Sequence, residues 1–128
     1  VFGKWPAGLT VVDAPLSKKK SESGEKEAFV ESKGKKSLTE FNLVKINEEF
    51  SHLKAKIITG RMHQIRAHAQ FKGFPVVGDR KYGDKLLNKE ANKLGLNRML
   101  LHATSISFKN LDIECSSDVP DLFSKIMS

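Results

Sequence analysis

The chain has 128 residues, a formal net charge of +7 and 39% hydrophobic residues. This length fits one domain of ordinary size, and this hydrophobic content excludes a chain that is disordered throughout. No apolar run approaches the ~18–20 residues that cross a bilayer. The single cysteine, Cys115, excludes an intramolecular disulfide, so we expect a reducing, cytoplasmic setting.

The positive charge favours a polyanionic partner, because basic side chains displace counterions from phosphates. Two segments concentrate this charge, a lysine-rich stretch from Lys18 to Lys36 and a second stretch from Gly60 to Lys81. A soluble domain with a solvated basic face is the alternative. The charge therefore favours nucleic acid as the partner without deciding it.

The first half of the chain predicts a surface loop followed by strands. Residues 17–25 are polar and contain a glycine, which is typical of a loop. Three strand-like runs follow, at residues 26–32, 38–46 and 50–59. In the second run the alternation breaks near Leu43 and Val44, which predicts a bulge or burial of both faces. In the third run, alternate apolar residues are expected to face inward: Leu53, Ala55 and Ile57.

Residues 61–72 contain neither proline nor glycine and predict a helix. Its narrow apolar face is formed by residues that lie within about 60° of one another on a helical wheel: Met62, Ile65 and Ala69. Thr59 or Gly60 is expected to cap the start of this helix. Gly73 is expected to end it, with Phe74 supplying the hydrophobic contact of a Schellman motif.

The remainder of the chain predicts short elements. These are a strand and turn at residues 76–79, a helix at 85–94 that ends at Gly95, strands at 98–108 and 112–115, and a terminal helix capped by Asp118. The combination predicts an α+β fold with a mostly antiparallel or mixed sheet and inserted helices.

Arg66 is the first candidate for chemistry. It lies at the border of the apolar face, where its stem can be buried while its guanidinium reaches a cleft. A planar, permanently charged fork in that position suits a buried carboxylate. His63 lies beyond it on the wheel, and His68 and Arg61 lie on the opposite flank. A basic surface helix with solvated arginines is the alternative, and spacing alone leaves both interpretations open.

Other chemistries find less support in the residues. His63 and His68 would lie about 140° apart on a helix, so they cannot share a metal ion from one regular helix. Cys115 has no basic neighbour in sequence that would activate it as a nucleophile. No phosphate-binding glycine loop is present. We therefore expect no metal site and no nucleotide cofactor.

One long motif gives a more specific indication of function. Residues 59–83 read TGRMHQIRAHAQFKGFPVVGDRKYG. This segment resembles the third signature of the RluA family of large-subunit rRNA pseudouridine synthases, which is close to T-G-R-x-H-Q-I/L-R-x-H followed by G-H-P-I-x-G-D-x-x-Y-G. Phe74 replaces the usual histidine and Ala67 the usual valine. The later NRMLLHATSISF resembles the family's R-L-x-L-H-A strand, and the earlier APLSKKK stretch resembles the C-type members, which modify 23S rRNA.

The resemblance implies the fold and chemistry of that family over nearly the whole chain. Arg66, the second arginine of the motif, matches the family's active-site arginine, which pairs with a catalytic aspartate. Other residues are expected to hold the motif and touch RNA: Arg61, His63, Gln64, Lys72, Arg80 and Lys81. Asp79 and Tyr82 are expected to hold the following loop in shape. The implied reaction isomerises a flipped uridine of 23S rRNA to pseudouridine, without metal or organic cofactor.

The sequence also departs from the family. The family's aspartate lies in an H-R-L-D-x-x-T-S-G segment and its base-stacking tyrosine precedes a Val-x-Gly, and neither is found in these residues, which begin at Val1. We therefore expect residues 1–128 to be the C-terminal portion of one catalytic domain, inactive alone, with a non-catalytic rRNA-binding module as the rival interpretation. The parent is expected to be monomeric and without membrane contact, whereas the isolated chain would self-associate through exposed strand edges.

Overall fold

The computed structural model describes residues 1–103, 105–108, 113–116 and 120–127. The strands are β1 (Val11–Asp13), β2 (Leu16–Lys20), β3 (Lys26–Val30), β4 (Leu38–Ile46), β5 (Ser51–Ile57), β6 (Ser105–Phe108) and β7 (Ile113–Ser116). The helices are α1 (Gln64–Phe71), α2 (Lys85–Lys93) and α3 (Asp121–Met127). The pairings of these strands are antiparallel, and the arrangement agrees with the predicted α+β class.

The central sheet has the order β1-β4-β5. The register of β4 against β5 shifts between Leu43 and Lys45 and leaves Val44 as a bulged residue. The bulge predicted from the broken alternation is therefore confirmed. It bends the hairpin at the end of the sheet that lies away from α1, since the first residues of β4 are the ones that contact the helix through Thr39.

The inward face predicted for β5 is confirmed only in part. Leu53 and Ala55 are half-buried and pack with the cluster around Trp5 and Phe41. Ile57 is 52% exposed, so its inward orientation was wrong. Ile57 lies at the last position of the last strand in the sheet, beyond the residues that this cluster covers.

A hairpin of β2 and β3 occupies part of a region predicted as a loop. Residues 17–20 pair with β3, and the turn closes where the N–H of Ser21 donates to the carbonyl of Glu25 at 2.7 Å. The loop prediction is therefore wrong for the first half of residues 17–25. Burial at the base of the hairpin outweighs its polar sequence, because four side chains pack together there: Leu16, Ala28, Ala67 and Tyr82.

α1 begins later than predicted. Its N-cap is His63, which has a left-handed backbone with φ 51° and forms no side-chain cap. The predicted cap residue Thr59 instead donates its hydroxyl to Oε1 of Gln64 at 2.7 Å. Because this bond spans the loop, residues 61–63 are held in a turn and the first helical residue is Gln64.

The end of α1 confirms the predicted Schellman motif. Gly73 has φ 89°, its N–H donates to the carbonyl of Gln70 at 2.9 Å, and the N–H of Phe74 donates to the carbonyl of Ala69 at 3.0 Å. The Phe74 ring packs on Trp5 with centroids 5.4 Å apart. The helix is thereby fixed against the core at its C-terminal end.

The C-terminal predictions have mixed outcomes. α2 is confirmed, with Asp84 as its N-cap and Gly95 after its end at φ 83°. Of the strand and turn predicted at residues 76–79, the turn is confirmed and the strand is wrong. Residues 98–103 form no regular element, so the strand predicted at 98–108 is confirmed only at β6. β7 and α3 match the last two predicted elements, whereas the predicted cap Asp118 lies outside the described residues. None of the described helices has the length and hydropathy needed to cross a membrane.

Candidate active site

Arg66 and Asp79 form the centre of the candidate site. The Nε and Nη2 atoms of Arg66 donate to Oδ2 and Oδ1 of Asp79, each at 2.8 Å. The Asp79 side chain is fully buried, and that of Arg66 is 17% exposed. The sequence predicted a carboxylate partner for Arg66 outside the chain and a loop-holding role for Asp79. In the structure Asp79 holds one edge of the guanidinium, and a second carboxylate at the other edge remains a prediction.

Asp79 also shapes the loop that follows it. Its Oδ1 accepts the backbone N–H of Lys81 at 3.0 Å and of Tyr82 at 2.9 Å. Burial alone would raise the pKa of Asp79, but hydrogen bonds from Arg66, Tyr82 and Lys81 outweigh burial and hold that pKa below its ordinary value. The hydrogen bond to Asp79 in turn raises the pKa of Arg66. The pair is therefore ionised at neutral pH, and the direction of the guanidinium is fixed.

The turn that carries Asp79 is held by two further residues. Gly78 has φ 79°, and a Cβ at this position would collide with the carbonyl group of Arg98, so only glycine fits. Asn88 of α2 accepts the N–H of Gly78 on Oδ1 and donates Nδ2 to the carbonyl of Asp79, both at 2.9 Å. The sequence analysis missed Asn88, because an asparagine within a helix gives no sign of the turn it contacts.

Tyr82 lies beneath the guanidinium, with its ring centroid 5.0 Å from the Arg66 Cζ. Its hydroxyl accepts the N–H of Ala28 at 2.7 Å and lies 2.9 Å from Nδ1 of His63. Because Tyr82 is only 4% exposed and no other acceptor for its hydrogen lies among the described residues, we assign that hydrogen to Nδ1 of His63. The remaining imidazole proton is then on Nε2.

This assignment makes His63 a neutral donor. Burial, followed by the charges of Arg66 and Lys81, lowers the pKa of His63. Its backbone is left-handed, a conformation that costs a non-glycine residue on the order of 1–3 kcal/mol and is enriched at functional sites. His63 and Arg66 thus both contact Tyr82, His63 through the hydroxyl and Arg66 through the face of the ring.

The next motif residues point into the interior and form one hydrogen-bonded chain. Thr59 donates to Oε1 of Gln64 at 2.7 Å, and Nε2 of Gln64 donates to Oγ1 of Thr39 at 2.9 Å. Oγ1 of Thr39 lies 2.8 Å from Nδ1 of His68, and Nε2 of His68 lies 2.9 Å from the carbonyl oxygen of Ala14. A carbonyl only accepts, so His68 carries its proton on Nε2 and Thr39 donates to Nδ1.

These hydrogen bonds change the interpretation of two motif residues, Gln64 and His68. Gln64 is only 3% exposed and His68 is fully buried. The helical wheel placed His68 on the flank opposite to His63, and in the structure that flank is buried, with Thr39 and Ala14 supplying both hydrogen-bond partners of His68. Both ends of the Gln64 amide are occupied, so the geometry supports its predicted role in holding the motif, and its predicted RNA contact remains a prediction.

We expect the free energy of unfolding to fall as the pH drops below about 6.5. Burial lowers the pKa of His68 below its ordinary value of 6.5, so the unfolded chain takes up a proton that the folded chain does not. Thermal unfolding followed between about pH 5 and pH 8 measures this. In the matched variant His68→Gln the decline should be shallower, and a decline of the same steepness would contradict the assignment.

Two predicted RNA contacts bond to other parts of the protein, Arg61 just before β4 and Lys81 at the start of β3. Nε of Arg61 donates to the carbonyl of Lys36 at 2.9 Å. Nζ of Lys81 donates to the carbonyl of Lys26 at 3.0 Å and pairs with the carboxylate of Glu25 at 3.3 Å. Both cations thus have protein partners, and Lys81 joins the site to the β2–β3 hairpin.

The remaining predicted contacts are separate from this group. Lys72 is the C-cap of α1, with Nζ 5.2 Å from the centroid of the Phe71 ring. Arg80 is exposed and lines a cleft beside α2. Within the described ranges, no three histidine, cysteine, aspartate or glutamate residues lie close enough to hold a metal ion. The expectation of no metal site and no cofactor remains a prediction.

Comparison with known proteins identifies the family. A sequence profile described as RNA pseudouridylate synthase matches residues 9–71. Proteins named ribosomal large subunit pseudouridine synthase C are 44% identical over 110 residues in Haemophilus influenzae and 37% identical over 113 residues in Escherichia coli. These matches cover 86% and 84% of this chain. Residues 9–71 belong to the RNA pseudouridylate synthase family. The chain spans 34% of the length of each of these two relatives.

Solved structures agree with this family assignment. The human RNA pseudouridylate synthase domain containing 1 superposes with a TM-score of 0.68 at 27% identity, over 84% of this chain and 47% of the other. The human RNA pseudouridylate synthase domain containing 4 superposes with a TM-score of 0.63 at 24% identity, over 89% of this chain and 53% of the other, which supports the fold alone. The pseudouridylate synthase fold is therefore present in this chain.

Proposed function

We propose that this chain is part of an enzyme that isomerises specific uridines to pseudouridine in large-subunit rRNA, and that it contributes Arg66 to the active site. The Arg66–Asp79 pair is the observation that carries the proposal. Asp79 occupies Nε and Nη2, which leaves Nη1 without a partner among the described residues. A guanidinium anchored along one edge can keep a second carboxylate ionised and oriented at the other edge.

The attacking carboxylate is proposed to be an aspartate outside these residues. Asp79 is a poor candidate because its side chain is fully buried and its two oxygens accept four hydrogen bonds. The other aspartates lie in no H-R-L-D segment. In this proposal Arg66 lowers the pKa of the incoming aspartate and fixes its direction, while the uridine is flipped out of the RNA to reach it.

We expect the 128-residue chain by itself to form no pseudouridine. The experiment incubates the chain with 23S rRNA transcripts and measures pseudouridine in the digested RNA by mass spectrometry. The protein of full natural length is the positive control, and circular dichroism of the same sample checks that the chain is folded. Turnover above background by the chain alone would place the nucleophile within it and overturn this part of the proposal.

Several finer assignments belong to the same proposal. We propose 23S rRNA as the substrate, which the net charge of +7 and the names of the relatives support. A cytoplasmic setting, no membrane contact and a monomeric parent enzyme are further parts of the proposal. We also propose that residues 1–128 are the C-terminal portion of one catalytic domain. The two outer strands of the central sheet, β1 and β5, support this. Val11 on β1 and Ile57 on β5 are exposed apolar side chains, and an isolated chain would self-associate at these edges.

The second candidate is a non-catalytic rRNA-binding module. It is favoured by the absence of the H-R-L-D segment from a chain with a pI near 9.6. The two candidates differ in the result expected when the chain is supplied together with the remainder of the natural protein. Only the enzyme would then form pseudouridine in a manner that depends on Arg66.

A further inference from the structure

A cleft lined by cations lies beside α2, next to the turn that carries Asp79. Its volume is about 300 Å³, and its lining includes the charged side chains of Arg80, Lys85 and Lys89. Asn92 and Asn97 contribute neutral amides. No carboxylate is part of this lining in the described structure. We call this depression the α2 cleft.

No carboxylate of the described residues neutralises the cations of the α2 cleft, although some other cations of the chain are paired. Arg66 pairs with Asp79, Lys81 pairs with Glu25 and Lys93 pairs with Glu90. Among the described residues, no carboxylate lies within ion-pair distance of the three cations that line the cleft, and all three are exposed: Arg80, Lys85 and Lys89. Unpaired charges of one sign around a concave surface reinforce one another and attract an anion.

The local geometry fits a chain of phosphates. Lys85 and Lys89 are four residues apart on α2 and therefore share one face of the helix. Arg80 approaches from the turn before the helix and offers a planar set of donors, which suits phosphate oxygens. Two lysine point charges and one guanidinium along a single depression match the repeated charges of a nucleic-acid backbone better than they match a single small anion.

The cleft is joined directly to the candidate active site. Arg80 follows Asp79 in the chain, and Asn88 connects the wall of the cleft to the same turn through its bonds to Gly78 and Asp79. The Asp79 side chain holds Arg66, so one short turn separates the two surfaces. A phosphate in the α2 cleft would fix an RNA strand relative to the nucleotide that faces Arg66.

We propose that the α2 cleft binds backbone phosphates of the substrate RNA as a second contact site, separate from the Arg66 surface. The choice of RNA as the ligand rests on the proposed function. The cleft adds affinity and sets the position of the strand, and it takes no part in the chemical step. Because phosphate contacts carry no base information, the cleft would contribute equally to RNAs of different sequence.

The test uses the protein of full natural length and a 23S rRNA fragment. Binding constants are measured over a range of potassium chloride concentrations for the double variant Lys85→Gln with Lys89→Gln. Each lost phosphate contact should reduce the steepness of the log–log salt dependence by about 0.7–0.9. Binding should weaken, and the double variant should lose roughly twice the slope that Arg80→Gln loses.

The matched control removes the same charge elsewhere. Lys54 and Lys56 are exposed on β5, and the double variant Lys54→Gln with Lys56→Gln should keep the slope of the unmodified protein. Equal slopes for the cleft variant, the Arg80→Gln variant and the unmodified protein would overturn the proposal. A slope that falls equally in the control would also overturn it. If the cleft variants weaken RNA binding as expected but the full-length protein forms no pseudouridine, only the enzyme proposal would be refuted.

Discussion

Replacement of Arg66 by lysine in the protein of full natural length should lower kcat by on the order of 100- to 1000-fold, the loss seen when a fixed donor to a reacting charge is removed. Lysine keeps the positive charge, but all of its N–H donors lie on one nitrogen atom, whereas arginine presents a planar fork of donors. Lysine cannot bond both oxygens of Asp79 and still hold a second carboxylate. RNA affinity should change far less, because one contact is a small part of an interface with many phosphates.

Single-turnover rates and RNA dissociation constants measured on the same preparation separate these two effects. Lys54→Arg is a control, since this lysine is exposed on β5 and its exchange for arginine is expected to leave both quantities unchanged. Equal losses in the rate and in the affinity of Arg66→Lys would show that Arg66 acts as an RNA contact. The proposed catalytic role would then be wrong.

Removal of the Asp79 carboxylate should destabilise the fold by about 3–5 kcal/mol, the range for breaking one partner of a buried ion pair. The variant Asp79→Ala leaves the largely buried guanidinium of Arg66 without its partner and leaves two backbone N–H groups, of Lys81 and Tyr82, without their acceptor. Urea unfolding measures the change in the free energy of unfolding.

Two controls define this second prediction. Asp79→Asn retains one acceptor oxygen and should lose less stability than Asp79→Ala. Glu48→Ala removes one partner of the exposed Lys4–Glu48 pair, whose atoms lie 3.0 Å apart, and should have little effect because solvent screens such pairs. A loss for Asp79→Ala no larger than that for Glu48→Ala would contradict the buried pair.

The pair also decides which substitution of Arg66 is informative. Arg66→Ala would leave the carboxylate of Asp79 charged and buried, since its side chain is fully inaccessible. That variant should lose stability as well as activity, and its rate would mix the two effects. A double-mutant cycle between positions 66 and 79, followed by urea unfolding, isolates the part of the stability that the pair contributes.

Short-range patterns predicted the elements whose determinants lie close together in sequence. The bulge at Val44 followed from a broken alternation within one strand. The end of α1 followed from Gly73 and Phe74, whose bonds reach back only a few residues. A carboxylate partner for Arg66 was one of two interpretations of a guanidinium at an apolar border, but Asp79 was not predicted to be that partner.

Long-range contacts account for what the sequence did not predict. β2 consists largely of lysines and is a strand because its first residue, Leu16, packs with Tyr82, far along the chain. His68 is a polar residue, yet it is buried because Thr39 and Ala14 form hydrogen bonds with both of its ring nitrogens. Neither set of partners is visible in a local window of sequence.

The attachment of α1 to β4 determines whether the motif of residues 59–68 can keep its geometry outside this fold. The helix has 8 residues, and isolated helices shorter than ~12–15 residues are marginal in water. Its start is fixed by Gln64, whose amide donates to the carbonyl of Leu38 and the hydroxyl of Thr39. A synthetic peptide of residues 59–68, or the same ten letters grafted into another scaffold, would therefore carry the motif without its geometry. The direction of the Arg66 guanidinium is a property of the assembled tertiary structure and cannot be transplanted with the motif.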